Sequence, residues 1–77
     1  MESSVPKYHI NVFFSDDDGC WVADAPDLKY CSAFGETAAE AVAELQVAIQ
    51  LYIESCSERG EPLPEPRYKP LVYQLAG

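Results

Sequence analysis

Between Ala25 and Ala41 the chain reads Ala-Pro-Asp-Leu-Lys-Tyr-Cys-Ser-Ala-Phe-Gly-Glu-Thr-Ala-Ala-Glu-Ala. These residues hold a turn, a short strand, a glycine corner and a helix start in strict succession. Pro26 fixes its own backbone angle, and Asp27 can bond its own main chain, so the pair marks a turn. Cys31 to Phe34 reads as a short strand. Gly35 supplies a corner with few steric limits. Thr37 and Glu40 then form a capping box, each satisfying a backbone N–H that the first helical turn leaves unpaired.

Upstream, Tyr8, Ile10, Val12 and Phe14 alternate with His9, Asn11, Phe13 and Ser15, the period of a strand with one buried face. Asp16-Asp17-Asp18-Gly19 is a polar turn, after which Cys20 to Ala23 resumes apolar character and completes a hairpin. With the third strand this predicts an antiparallel meander. The helix is expected from Ala38 to about Arg59. Ala38, Ala41, Val42, Leu45, Ala48, Ile49, Tyr52 and Cys56 recur at three- and four-residue steps, a single apolar stripe that requires a sheet to cover it. At about 100° per residue Val47 and Leu51 fall on the opposite side, among Glu40, Glu44 and Glu54, with Ala43 nearby. Gly60 suits the C-terminal stop, and Arg59 suits the negative end of the helix dipole. Prolines at alternate positions keep Glu61 to Pro66 extended, and Leu71 to Leu75 reads as a last strand.

Residues 1–77 are therefore expected to form one domain, with a loose start over 1–6 and a proline-rich extended segment over 61–70. The fold class is α+β: a three-stranded antiparallel sheet, one long helix and a short C-terminal strand. The right-handed crossover rule would set that last strand parallel to the first.

Several of these residues resemble the HicB-like antitoxin family. They are Gly19, Pro26-Asp27-Leu28, Cys31, Gly35-Glu36-Thr37, Glu40-Ala41 and Gly60-Glu61-Pro62-Leu63-Pro64, and the likeness runs from about Tyr8 to Pro66. Lys29-Tyr30 departs from it, standing where the family pattern has Pro-Gly before the cysteine. The resemblance implies a β-β-β-α-β order, a reduced ribonuclease H-like core, and a partner that is a small basic HicA-type toxin cutting messenger RNA. Many family members add a C-terminal DNA-binding module. The eleven residues after Pro66 are too few for one, so autoregulation by this chain is not expected.

Charge and size agree with a binding role. The net charge is −8, and eleven of the thirteen acids but only two of the five bases, Lys7 and Lys29, lie in residues 1–58. Such a surface repels phosphate backbones, so direct nucleic-acid binding is not expected, whereas a basic partner would be attracted. Acidity that merely keeps a small protein soluble gives the same composition. A chain this short buries only roughly 60% of its unfolded surface, which favours a homodimer or higher oligomer. No apolar run approaches the ~20 residues of a membrane span, so a cytoplasmic location is the default.

Enzyme chemistry finds little footing. Cys20, Cys31 and Cys56 are widely spaced, and the single His9 lies far from two of them, so a zinc site lacks ligand spacing and buried reduced thiols are expected. Asp16, Asp17 and Asp18 sit in a turn where adjacent side chains diverge. Asp24, Asp27 and Glu36 flank strand ends and could gather metal ions only if the fold brought them together, the requirement of a vestigial nuclease. No catalytic residue, cofactor or metal is expected. The candidate partner contacts are Phe13, Trp21, Asp24, Val47 and Leu51. One helix covers only one sheet face, so large aromatics on the other would be exposed, and the register of the second strand leaves Trp21 on either face. A toxin-binding protein and a solitary homo-oligomeric module of unknown ligand both fit this pattern.

Overall fold

A computed structural model describes residues 7–29 and 31–70. Four elements follow one another: β1 (Asn11–Ser15), β2 (Cys20–Asp24), β3 (Ser32–Gly35) and α1 (Ala38–Arg59). The sheet is antiparallel throughout, in the order β1-β2-β3. It is the meander expected from the sequence, followed by the expected helix. The proposed strand over 71–75 and the N-terminal start over 1–6 lie outside the described residues.

Local chemistry accounts for each junction. In the β1–β2 turn the Gly19 amide donates to the Ser15 carbonyl at 2.8 Å, with Gly19 at φ 67°. The Ser15 hydroxyl donates to Asp18 at 2.9 Å and accepts from the Asp18 amide, so the turn closes on its own polar groups. The next turn closes where the Leu28 amide donates to the Ala25 carbonyl at 3.0 Å, with Pro26 at its first central position. Thr37 caps α1, its hydroxyl accepting from the Glu40 amide at 3.0 Å. The Glu40 carboxylate reaches one residue further than a capping box requires, taking the Glu36 amide at 2.6 Å instead of that of Thr37. At the other end Gly60 stands at φ 69°, and Glu61 and Gly60 donate to the Cys56 and Ser57 carbonyls, the Schellman arrangement.

The core forms where the apolar stripe of α1 meets one face of the sheet. Ala41, Leu45 and Ile49 pack with Ala23, Ala25, Leu28 and Cys31, and Tyr8, Ile10, Trp21, Val42 and Tyr52 close around them. Small residues on β2 and β3 let the helix approach closely. Gly35 is the tightest point: a Cβ there would stand 2.5 Å from the Ala41 nitrogen and 2.9 Å from the Glu40 carbonyl carbon. Its φ is not among the positive ones, so the corner needs glycine for close approach of backbones rather than for conformational freedom.

Two strand expectations need correction. β1 begins at Asn11 and not at Tyr8, because its partner strand ends at Asp24, directly opposite Asn11, and then turns away. Val12 and Phe14 occupy the helix-facing side as expected, opposite Ala23 and Trp21, yet both remain exposed. The helix lies chiefly over β3 and β2 and reaches β1 least, leaving these side chains beyond its edge.

Candidate protein-binding surfaces

Side-chain alternation in β1, β2 and β3 puts Phe13, Val22 and Phe34 side by side on the sheet face turned away from α1. Phe13 and Phe34 are 50% and 56% exposed, whereas Val22 between them is only 8% exposed. Val22 stands apart from the core cluster on the helix side. The same face carries Asn11, Asp24 and Ser32 in one cross-strand row and Ser15 with Cys20 in another. Asp24, half-buried, is its one charged residue among the described strands.

A second surface lies on the outer side of α1. Val47 and Leu51 are 57% and 60% exposed, one turn apart. Glu40, Glu44, Glu54 and Glu58 are all exposed along the same side. An apolar centre in an anionic rim suits a protein partner with a basic surface.

The five sequence-derived contact residues thus divide among three places. Phe13 and Asp24 share the open sheet face, and Val47 with Leu51 share the outer helix face. Trp21 belongs to neither: it faces the helix, packs on the core, and meets Phe14 edge-to-face with ring centroids 5.6 Å apart. The register Trp21↔Phe14 resolves the ambiguity left by sequence. Phe34 was missed. Its signal was present, since inward Cys31 and Ala33 force Phe34 outward by the two-residue strand period.

The proline-rich segment is tied to the sheet end by three contacts. The Tyr8 hydroxyl donates to the Pro64 carbonyl at 2.6 Å. The Asp27 carboxylate accepts the amides of Arg67 and Tyr68 at 3.1 to 3.2 Å. The His9 ring meets the Tyr68 ring at 4.6 Å. His9 also bonds Asn11 at 2.7 Å.

Titration follows these environments. Burial above all raises the Cys31 thiol and the Tyr8 hydroxyl, and Asp24 and Asp27 respectively add to the effect. The exposed Arg59–Glu61 pair, 2.9 Å apart, lowers the Glu61 carboxyl through the hydrogen bond from Arg59. Cys20, Cys31 and Cys56 are unbridged, and Cys31 and Cys56 are buried. Among the described residues no three His, Cys, Asp or Glu side chains gather as a metal ion would require. Asp24 sits on the open sheet face while Asp27 is engaged with the 67–68 amides, and among the described residues these two are not gathered with Glu36 as a metal ion would require. No helix among the described residues is long and apolar enough to cross a membrane.

The described residues form a small α+β layer that exposes apolar side chains on the sheet face turned away from α1 and on the outer side of α1. The chain belongs to the HicB-like family, described as the HicB-like antitoxin of bacterial toxin–antitoxin systems, which matches over residues 8–73. The UPF0150 protein Ta0767 of Thermoplasma acidophilum is 36% identical over 58 residues, which is 75% of this chain and 83% of that protein. The UPF0150 protein ssr1765 of Synechocystis is 42% identical over 48 residues, covering 62% and 61% respectively. No solved structure matches the chain significantly.

Proposed function

We propose that this protein is a non-catalytic, cytoplasmic antitoxin that binds and neutralises a small basic HicA-type messenger-RNA-cleaving toxin. The observation that carries this reading is the outer face of α1, where Val47 and Leu51 lie exposed among Glu40, Glu44, Glu54 and Glu58. Such a face would cover a basic RNA-binding surface and exclude RNA, and its charge would steer association without itself attracting nucleic acid. Family membership supports an antitoxin-type role. The reading includes a single domain over 1–77, completion of a reduced ribonuclease H-like core by a strand over 71–75, and assembly as a homodimer or higher oligomer.

Co-expression with a small basic toxin of this type tests the pairing. Expected are rescue of growth and co-purification of the two chains. Leu51→Asp should abolish both while leaving the fold intact. Growth arrest undiminished by the wild-type protein, with no complex recovered, removes the antitoxin reading. The alternative is a solitary homo-oligomeric module of unknown ligand, favoured by Phe13 and Phe34, exposed side by side with the buried Val22 between them.

A further inference from the structure

The two apolar surfaces differ in charge, and that difference sorts their occupants. In a two-fold dimer each surface meets its own copy, so every charge on it is doubled against the same sign. The outer face of α1 carries Glu40, Glu44, Glu54 and Glu58 around Val47 and Leu51. A second copy seated there would oppose eight carboxylates across one interface, and like charges juxtaposed at an interface cost several kcal/mol. The open sheet face has large apolar groups at Phe13 and Phe34, and Asp24 is its only charged residue among the described strands. In a protein of net charge −8, this face, unlike the outer face of α1, tolerates its own image.

We propose that two copies of this chain associate face to face through the Phe13–Val22–Phe34 row, leaving the acidic outer face of α1 free for a basic partner. The inference deepens the self-association included in the proposed function and rests on that part of it alone. Sheets stacked in this way lie about 10 Å apart, a spacing that Phe13 and Phe34 of the two copies fill by interdigitation. Asp24 also selects the orientation. If β2 of one copy runs antiparallel to β2 of the other, with Val22 at the centre, Asp24 of each lies over the Cys20 end of its mate. The parallel arrangement would set the two carboxylates against each other.

Sedimentation equilibrium of the purified full chain, without toxin, tests this. The wild type should be a dimer whose affinity does not fall as salt is raised, because apolar burial and not ion pairing holds it. Phe13→Ser with Phe34→Ser should raise the dissociation constant roughly 100-fold or more, since buried aromatic anchors dominate interfaces. Val47→Ser with Leu51→Ser should leave it unchanged. Helicity by circular dichroism verifies that each variant folds. Should the double phenylalanine variant fail that check, Phe34→Ser alone carries the comparison, at an edge-strand position that is 56% exposed. A dimer that survives the phenylalanine changes, or is lost with Val47 and Leu51, overturns the assignment of surfaces. A monomeric wild type overturns the self-association itself, and neither result bears on toxin binding.

Discussion

At Gly35 the absence of a side chain sets the distance between sheet and helix. Gly35→Ala would drive a methyl group into the backbone at Glu40 and Ala41, and overpacking of this kind costs about 1–3 kcal/mol. Denaturant titration should show that loss as a lower midpoint with an unchanged slope. The comparison is Thr37→Ala, which removes the cap and costs about 1 kcal/mol. Asp27 has the reverse role, joining segments 40 and 41 positions apart through two backbone amides. Hydrogen exchange should find the Arg67 and Tyr68 amides faster in Asp27→Ala, with protection of the Leu45 and Ile49 amides unchanged. Cys31 and Tyr8 predict the response to alkali. Their folded pKa values lie above the unfolded ones, so the native state holds these protons more tightly. That contribution is complete below the unfolded thiol value of about 8.5 and is lost as pH rises through the folded values. The unfolding midpoint should therefore fall progressively above about pH 9, and less steeply in Cys31→Ala. A midpoint flat to pH 11 would contradict the assignment.

Among the elements, α1 was legible almost residue by residue. Its start at Thr37 and its stop at Gly60 are set by local capping chemistry, and a periodic stripe within one continuous segment needs no distant information. Substitution should separate its two faces. Leu45→Ala, fully buried, is expected to cost about 2–5 kcal/mol. Leu51→Ala, 60% exposed, should stay within about 0.5 kcal/mol. The strands were legible in number and order but less so in extent. Tyr8 to Ile10 alternate like a strand, yet they lie beyond the pairing with β2, which ends at Asn11↔Asp24. The face of Trp21 depended on register, which a four-residue turn with a glycine near φ 67° decides and composition does not. Phe34 gives a weaker signal for a related reason: β3 is only four residues long, too short for its alternation to stand out.

For the whole molecule, charge and shape act together. An acidic protein should bind a basic partner faster at low ionic strength. Raising salt from about 0.01 to 0.15 M, which shortens the screening length from roughly 30 to 8 Å, should slow the association rate at least tenfold. Glu44→Lys should reduce both that rate and its salt dependence, as surface plasmon resonance over a range of salt concentrations would reveal. The amino-acid sequence by itself determined the meander, the helix and its ends, and the acidic balance, since each follows from turn chemistry, periodicity or counting within a short span. The tertiary structure decided how closely Gly35 approaches Ala41, where Asp27 holds the proline-rich segment, and which aromatics stay uncovered. Those features depend on where a helix of fixed width comes to rest on a three-stranded sheet, and packing between residues far apart in the chain sets that position.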